Sequence, residues 1–503
     1  MSHNYDGIFI TDTPHYPDWV RGYAAHRLAT HLRQHGYKIL VIDFQSGLNF
    51  KTWNKLMELA IGPDTQFVGF STTWWPYRIP GQTKTNLSAN LRDNVSEEYL
   101  EEIDDSEDSD VTLTMDIVAD KSQRWIDVIK AINPKTKIFL GGAKVDWYNE
   151  FPADHVFSGL SETQLLDYLE QPRRIWNTLI NHDTDASSRD WGWNTCYTSY
   201  TELDQIRSSE TLTLETTRGC RFKCIYCQFP LIGQKKMSAY IKTQETLYNE
   251  LLENYERWGV TDYWIADDTF NDTNEKVDHV LEVVKRLPFQ PRFRAYLRLD
   301  VLAKNLDQIE KLHRIGVRRC FFGIESFHPE AAKVIGKGMS QELRKEALWK
   351  AREAWGNDVS INAGYIIGLP YESYDHAKEQ LQWFLDPKNP IDKVYYFPLM
   401  INPEGVYPNH PMSELDRNYE NYGYKIPDTT KGNHHYWFKE DGTDIPSFSR
   451  AFEIIKEFND QMDAKEAVVQ EQITYGDGDS IRDVQKEYFD VVIKTLEDQL
   501  NGN

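Results

Sequence analysis

Short apolar segments alternate with amphipathic helical segments in two stretches of this 503-residue chain, and no other feature constrains its fold more. The first stretch covers about residues 5–170 and the second about residues 211–400. Buried apolar strands separated by helices are typical of βαβ units, whose strands pair in parallel. We therefore predict an α/β protein with two parallel sheets, the first of them doubly wound like a Rossmann domain.

The apolar runs predict where the strands lie. In the first stretch they are 7–10, 38–44, 66–71, 137–142 and 155–159, and in the second 211–215, 262–266, 292–298, 319–324, 360–367 and 393–397. Ligands of open α/β sheets bind beyond the carboxyl ends of the strands. The residues that follow each predicted strand are therefore the first candidates for a functional site.

Three of the five cysteines lie directly after the predicted strand 211–215, at Cys220, Cys224 and Cys227. Several thiolates on one short loop can bind a single metal centre, and thiolate ligands select zinc or an iron–sulfur cluster. A closed structural site needs four ligands, whereas no histidine and no fourth cysteine lies in this loop. Three ligands leave one coordination position open, as in catalytic metal sites. A zinc knuckle is the alternative interpretation.

The pattern Cys-x3-Cys-x-aromatic-Cys, with Tyr226 before its last cysteine, resembles the signature of the radical S-adenosylmethionine (radical SAM) superfamily. The resemblance implies a 4Fe-4S cluster on the three cysteines, with S-adenosylmethionine (SAM) on its open iron and Tyr226 beside the cofactor. It also implies a partial (β/α)6 barrel over residues 207–400 and reductive cleavage of SAM to a 5'-deoxyadenosyl radical. An external electron donor such as flavodoxin or ferredoxin would be the partner.

The resemblance extends to residues at the ends of the second and third strands of the predicted barrel. Asp267 and Asp268 stand where the superfamily places acidic groups against the SAM ammonium, and helix N-capping is their alternative role. Arg298 is expected to pair either with the SAM carboxylate or with Asp300 in a structural ion pair. These residues would bind the charged end of SAM.

Two later strand ends complete the predicted cofactor site. Glu325 and Ser326 belong to a segment similar to Gly-x-Glu-Ser, whose polar side chains face the ribose and methionine parts of SAM in the superfamily. Gly364 and Ile366 belong to a segment similar to Gly-x-Ile-x-Gly, which backs the adenine. The resemblance thus covers about residues 5–400 and rests on several motifs.

Residues 1–170 resemble the cobalamin-binding domain that precedes the barrel in one large class of radical SAM enzymes. The matching segments are 21–25, 35–38, 68–71, 140–142 and 158–162, and the loops 11–19, 71–75, 141–145 and 158–163 would surround one crevice. The Asp-x-His-x-x-Gly motif, whose histidine ligates cobalt, is absent. The domain is therefore expected either to bind cobalamin without that ligand or to serve as a scaffold.

The remaining segments are an acidic insertion near residues 85–120, a linker over residues 171–206 and a mainly helical extension over residues 401–503. Helices predicted at 447–462 and 481–500 are expected to close the open side of the barrel. Cys196 and Cys320 are interpreted as passive thiols. Because there is no second cysteine cluster, an auxiliary iron–sulfur domain is not expected.

The composition narrows the class of protein. A net charge of −22 disfavours a broad nucleic-acid-binding surface. There is no apolar run long enough to span a membrane and no secretory signal at the start, and the few cysteines fit a reducing compartment. We expect a cytoplasmic protein.

The sequence thus predicts a radical SAM enzyme, and its leading hypothesis is cobalamin-dependent methylation of an unactivated carbon. The runner-up is a radical SAM rearrangement, cyclisation or oxidation with an empty N-terminal domain. A non-catalytic metal-binding scaffold is the alternative from another class. No residue pattern identifies the substrate.

Overall fold

The computed structural model describes most of the chain. The described residues are 5–12, 20–45, 48–72, 115–142, 151–157, 161–170, 192–229, 233, 240–402, 412–426, 437–439, 445, 447–466 and 481–501. The chain divides into two compact units. The first unit consists of residues 1–213, 250–260 and 475–503, and the second of residues 214–249 and 261–474.

The first sheet has five parallel strands in the order β2-β1-β3-β4-β5. They are Gly7–Ile10 (β1), Ile39–Ile42 (β2), Phe67–Ser71 (β3), Lys137–Gly141 (β4) and His155–Phe157 (β5). Because the order reverses at β1, right-handed crossovers put helices on both faces. The prediction of a doubly wound sheet is confirmed.

Four helices connect or follow these strands: Ala24–Gln34 (α1), Phe50–Ala60 (α2), Met115–Ile132 (α3) and Glu162–Glu170 (α4). Helices α1 and α4 cover one face of the sheet, where Leu32 and Leu165 share a core with Phe139. Helices α2 and α3 cover the other face, where the Trp53 and Trp125 rings stack 4.6 Å apart. Both faces of β1–β4 are therefore buried, as their unbroken apolar sequences require.

The second sheet has six parallel strands in the order β11-β10-β9-β8-β7-β6. They are Thr211–Leu214 (β6), Asp262–Ile265 (β7), Arg292–Leu297 (β8), Val317–Glu325 (β9), Ser360–Ile367 (β10) and Lys393–Pro398 (β11). Sequential strand order with right-handed crossovers places the helices on one face and leaves an inner face, as in a barrel. The six predicted strands are confirmed within one or two residues at each end.

Helix Gln244–Trp258 (α5) lies between β6 and β7 along the chain, and its residues 250–258 belong to the first unit. The helices that lie wholly in the second unit are Asn274–Val284 (α6), Leu299–Lys304 (α7), Gln308–Ile315 (α8), Pro329–Val334 (α9), Gln341–Trp355 (α10), Tyr374–Leu385 (α11), Glu414–Asn418 (α12) and Phe448–Glu466 (α13). Burial alternates along the strands, as β10 illustrates. Its residues Ile361, Ala363 and Ile367 are buried on the helix side, while Asn362 and Ile366 on the inner face are half-buried. A small antiparallel pair, Tyr424–Lys425 (β12) and Phe438–Lys439 (β13), completes the strands.

The last described helix, Ile481–Asn501 (α14), does not lie where we expected. Instead of closing the barrel, it packs on the first unit, where Tyr488, Phe489, Val492 and Leu496 join the core of β1–β4. Helix α13 packs beside β11, with the Phe458 and Tyr396 rings 6.4 Å apart. The prediction was wrong for α14 because an apolar helix face does not specify which sheet it will cover.

Several predicted features lie outside the described residues. They include most of the acidic insertion and most of the loops predicted to surround the cobalamin crevice. Helix α3 begins at Met115, within the predicted insertion. Among the described helices, none is long and apolar enough to cross a membrane.

Candidate metal and cofactor site

The cysteine loop leaves the carboxyl end of β6 and meets the residues that follow β7. The Cys220 side chain is buried, while Cys224 and Cys227 are half-buried. The Cys227 amide donates to the Cys224 carbonyl (3.0 Å), which closes a turn between these two residues. The Cys220 Sγ lies 3.4 Å from the Thr269 hydroxyl oxygen, beyond the end of β7. The thiols thus stand at the edge of the sheet where α/β proteins bind ligands.

The electrostatics of the thiols follow from their burial. Burial raises the pKa of Cys220 and raises the pKa of Cys227 to about 12, although the Phe222 and Phe229 amides donate to these two sulfurs. Without a metal Cys220 and Cys227 therefore keep their protons at neutral pH, and a bound metal has to displace them. Amide hydrogen bonds to sulfur are also among the interactions that tune iron–sulfur clusters.

Arg298 links the cysteine loop to the third and fourth barrel strands. Its Nη1 donates to Cys224 Sγ (3.0 Å), and its Nε and Nη2 form a fork on Asp300 (3.0 and 2.8 Å). Nη2 also donates to the Gly336 carbonyl (2.8 Å), and the guanidinium lies 3.8 Å from the centre of the Phe222 ring. Of its two expected roles, the ion pair with Asp300 is the one observed.

Glu325 lies at the end of β9 in the left-handed region, with φ = 61°. The Tyr226 hydroxyl donates to its Oε1 (3.0 Å), and Lys337 Nζ donates to the same oxygen (2.8 Å). A Cβ on Gly323 would lie 2.6 Å from that oxygen and 2.7 Å from the lysine nitrogen. Glycine is therefore required at position 323 for this ion pair to cross the strand.

The two aspartates after β7 differ in their surroundings. Asp267 is buried and accepts from the Thr216 and Thr217 amides (2.8 and 2.9 Å), and Lys276 Nζ lies 3.0 Å from its Oδ2. The Asp268 carboxylate accepts no hydrogen bond within the described part of the chain and is only partly buried.

The pKa of Asp268 is raised to about 6. Partial burial is the larger cause, and the nearby negative charge of Asp267 is the second. Neither aspartate caps the next helix, because the Thr273 hydroxyl accepts from the Lys276 amide at the start of α6. The N-cap alternative is therefore wrong. Asp267 fixes the loop after β6, and Asp268 is the carboxylate left for another partner.

Three predicted cofactor residues do not join this cluster. The Ser326 hydroxyl donates to the buried Glu372 (2.9 Å), which also accepts from Tyr365, so the contacts of Ser326 do not support its expected role. The inner side of Gly364 is covered by the Phe321 ring, whose Cε1 would be 2.9 Å from a Cβ on this glycine. Ile366 is half-buried on the inner face of β10, one layer of side chains beyond Gly364.

Sequence reasoning missed Lys337, Thr269 and Phe222, which contact Glu325, Cys220 and Arg298. Phe222 lies within the cysteine motif, and Thr269 directly follows the aspartate pair, so their positions were a usable signal. Lys337 lies between two glycines in the loop after α9, and nothing local relates that loop to Glu325.

The arrangement of the thiols bears on which metal they suit. Four thiolates around one zinc, each at ~2.3 Å, would stand within roughly 4 Å of one another. Among the described residues, no three His, Cys, Asp or Glu side chains converge closely enough for one metal ion. The cysteines of a cubane cluster bind separate irons and need not converge on one point. Three thiols on one loop are a donor set that a cubane cluster can use, with its fourth iron left for another ligand.

The sequence of this region matches a known superfamily. Residues 214–384 match the profile of the radical SAM superfamily. The chain carries a radical SAM domain. This match covers β7 to β10, the cysteine loop and all the contacts described above, which confirms the resemblance inferred from the cysteine motif.

Two curated relatives match parts of the chain that carries this radical SAM domain. An "uncharacterized methyltransferase" from Pyrococcus horikoshii is 24% identical over 168 residues, which are 33% of this chain and 35% of that protein. The oxygen-independent coproporphyrinogen III oxidase of Paracoccus denitrificans is 28% identical over 93 residues, 18% of this chain and 20% of the enzyme. The chain thus spans about a third or less of the length of these relatives.

Solved structures resemble the chain over a larger extent. The radical SAM methyltransferase TsrM from Kitasatospora setae, solved with cobalamin and a 4Fe-4S cluster, superposes with a TM-score of 0.56 over 84% of this chain and 81% of TsrM, at 13% identity. The cobalamin-dependent radical SAM enzyme OxsB, in its apo form, gives 0.51 over 78% of this chain and 53% of OxsB, at 17% identity. A doubly wound domain combined with a radical SAM domain is therefore a known architecture.

Proposed function

We propose that this protein is a radical SAM enzyme that holds a 4Fe-4S cluster on Cys220, Cys224 and Cys227 and cleaves SAM reductively to a 5'-deoxyadenosyl radical. The observation that carries the proposal is the group of three thiols at the carboxyl end of a six-stranded parallel sheet, with Arg298 donating to one sulfur. Such a cluster supplies one electron to the bound sulfonium when an external donor, such as flavodoxin or ferredoxin, has reduced it.

The residues of the chain contribute binding and orientation. Arg298 donates to Cys224 and forms an ion pair with Asp300, so the loop is held in place before a cluster binds. Asp268 is the carboxylate best suited to the SAM ammonium, because Asp267 is already occupied by Thr216, Thr217 and Lys276. Its pKa of about 6 leaves it mostly ionised at pH 7.

The test is anaerobic reconstitution with iron and sulfide, followed by reduction in the presence of SAM. We expect a cubane EPR signal and 5'-deoxyadenosine, both lost when any of Cys220, Cys224 or Cys227 is replaced by serine. Cys196→Ser is the matched control and should keep both. The proposal fails if the wild type holds zinc in place of iron, or if the serine variants keep the cluster.

We further propose that the reaction is cobalamin-dependent methylation of an unactivated carbon. The observation that favours it is the doubly wound first unit, with the strand order β2-β1-β3-β4-β5 and a fold shared with TsrM and OxsB. The switch point of such a sheet, here between β1 and β3, is where a ligand binds. Because the cobalt-ligating histidine motif is absent, other residues of the first unit would have to hold cobalamin.

Cobalamin binding and methyl transfer can be tested in the same reconstituted protein. Bound corrinoid absorbance, and S-adenosylhomocysteine formed beside 5'-deoxyadenosine, are the expected results. If 5'-deoxyadenosine forms but both other signals are absent, the reaction is a non-methylating rearrangement, cyclisation or oxidation.

A further inference from the structure

A row of aromatic rings crosses the inner face of the second sheet. We call it the aromatic belt; it consists of Trp264 on β7, Tyr296 on β8, Phe321 on β9 and Tyr395 on β11. Centroids of successive rings are 5.9, 5.4 and 5.7 Å apart. These are ordinary contact distances between aromatic rings, so the belt is continuous over five strands.

The belt is continuous because β10 contributes a glycine to it. A Cβ on Gly364 would lie 2.9 and 3.0 Å from two atoms of the Phe321 ring. Gly364 pairs with Tyr395 in the sheet, and the Phe321 ring reaches across β10 towards that residue. Glycine at this position is thus explained by the belt.

The belt is exposed although it lies on the inner face of a sheet. Tyr296 and Tyr395 are 37% and 40% exposed, and Phe397, two residues beyond Tyr395 on the same face, is 47% exposed. Their strand neighbours Leu297 and Tyr396 point to the helix side and are buried. A contiguous patch of exposed aromatic side chains is typical of a ligand-binding site, whereas single exposed aromatic residues are common on any protein surface.

Basic residues flank the belt on the side of the strand starts. Lys393 Nζ lies 5.0 Å from the centre of the Tyr395 ring, and Arg294 and Arg319 precede Tyr296 and Phe321 by two residues on the same face. Aromatic faces attract cations in general, but positive charges at this distance repel a cationic ligand. Asp262, two residues before Trp264 on the same face, lies 3.8 Å from Arg292, so basic side chains still outnumber acidic ones on this flank within the described residues. This excess of basic groups favours a neutral or anionic ring.

The belt is contiguous with the proposed cofactor site. Arg298, which contacts Cys224, lies two residues beyond Tyr296, and Glu325 lies four residues beyond Phe321. Side chains two residues apart in a strand share a face and stand in neighbouring layers. A ligand on the belt would therefore lie next to the layer that holds the cysteine loop.

We propose that the aromatic belt binds the substrate of the radical SAM domain, and that this substrate carries a flat ring system that is neutral or anionic. The inference rests on the proposed function for the identity of the cofactor. The adenine of SAM is the other flat group that this face could hold, so the experiment has to separate the two.

The probe is 2-naphthoate, a flat anion, titrated into the reconstituted full chain by equilibrium dialysis with and without saturating SAM. We expect saturable binding that persists with SAM. Binding should be at least ten-fold weaker in the Phe321→Leu/Tyr395→Leu double variant and in Gly364→Ala, which displaces the ring without removing it. Phe452→Leu, which truncates a 57% exposed phenylalanine on α13, is the matched control and should bind like the wild type.

Two further ligands test shape and charge. Cyclohexanecarboxylate, which is not flat, and 2-naphthylmethylammonium, which is cationic, should each bind at least ten-fold more weakly than 2-naphthoate. Competition between SAM and 2-naphthoate would assign the belt to the adenine and overturn the proposal, as would equal binding to the double variant. Tight binding of the cation would overturn the charge argument.

Circular dichroism and iron content of each variant report whether it is folded and loaded. If the wild type cleaves SAM but does not bind 2-naphthoate, the belt proposal fails and the proposed function stands. If the wild type forms no cluster but still binds 2-naphthoate through Phe321 and Tyr395, the proposed function fails and only a flat-ligand site remains.

Discussion

Single residues around the cysteine loop connect segments that are distant in the sequence. Arg298 contacts a thiol, a carboxylate, a carbonyl and an aromatic ring at once, and Glu325 accepts from both Tyr226 and Lys337. Two of these contacts are ion pairs between largely buried groups, so removing Arg298 or Lys337 leaves the carboxylate of Asp300 or Glu325 without its charged partner. Replacing these residues should therefore disturb the candidate metal site, although they lie far from the cysteine loop in the sequence.

Arg298→Gln is the sharpest residue-scale test. It removes the donor to Cys224 and leaves the buried carboxylate of Asp300 unpaired, at a cost of about 3–5 kcal/mol in the free energy of unfolding. We expect iron content after reconstitution to fall below about half of the wild-type value. Arg292→Gln, at the exposed start of the strand that precedes Arg298, is the control and should load fully. Equal iron content in both variants would contradict the assigned role of Arg298.

A second residue-scale prediction concerns His328, the N-cap of α9. Its Nδ1 accepts from the Ala331 amide (3.3 Å), and its ring lies 4.8 Å from that of His376. The pKa of His328 is lowered, mainly by burial and secondly by the nearby His376. The other charged groups that act on it are Glu372, Glu330 and Lys439.

The lowered pKa of His328 in the folded state determines how its contribution to stability changes with pH. The folded protein binds fewer protons than the unfolded chain below about pH 6.5, so stability is full above that pH and is lost as the pH falls through it. His328→Asn keeps a cap acceptor but cannot titrate. Urea midpoints followed by circular dichroism from pH 7.5 to 5.5 should fall more steeply in the wild type than in this variant. Parallel curves would mean that His328 does not contribute.

At the scale of elements, strand order determines where ligands can bind. The second sheet runs in sequential order, so its helices cover one face and its inner face is left for ligands. The first sheet reverses direction at β1, so helices cover both of its faces and only the ends of the strands are left. Helix α14 completes the cover on one of these faces, and the Tyr488 hydroxyl accepts from the Asp43 amide (3.0 Å).

Val492→Asp tests the place of α14. Val492 is fully buried in the core of the first unit, and a carboxylate there should cost several kcal/mol, more than about 3, in the free energy of unfolding. Hydrogen-exchange mass spectrometry should show faster exchange in β1 to β3. The neighbouring Val491→Asp, at a partly exposed position, is the matched control and should exchange like the wild type. Unchanged protection in Val492→Asp would argue against the observed packing of α14.

At the scale of the whole molecule, the excess of acidic residues is the dominant electrostatic feature. The chain has 78 acidic and 56 basic side chains, and a net charge of this size opposes compact states through self-repulsion. Two places depart from this acidic excess. Basic residues lie beside the aromatic belt, and Arg298 lies at the cysteine loop.

Salt should relieve this repulsion. Raising NaCl from 50 to 500 mM shortens the Debye length from about 14 Å to about 4 Å and should raise the melting temperature of the metal-free protein at pH 7.5 by a few degrees. The control is the same titration at pH 5, close to the pI of about 5.1, where the salt effect should shrink. An equal increase at both pH values would show that ion binding or solvent effects, rather than net charge, are responsible.

Local patterns in the sequence were sufficient to predict the strands of both main sheets and the resemblance to the radical SAM superfamily, which the match of residues 214–384 bears out. The spacing of apolar residues distinguishes strands from helices, because buried positions recur every second residue in a half-buried strand and every three to four residues in a helix. The cysteine motif could be recognised because its three cysteines lie within eight residues on one loop. Both features are properties of a short stretch of chain, so no tertiary information was needed.

Only the tertiary structure decided how residues far apart in sequence meet. It assigned Arg298 to Asp300 and Cys224, directed Ser326 to Glu372 and separated the roles of Asp267 and Asp268. It also joined the four rings of the aromatic belt across a glycine and placed α14 on the first unit. Such contacts depend on strand register, loop direction and helix docking, which are set by packing across the whole unit and leave no signal in any local window of sequence.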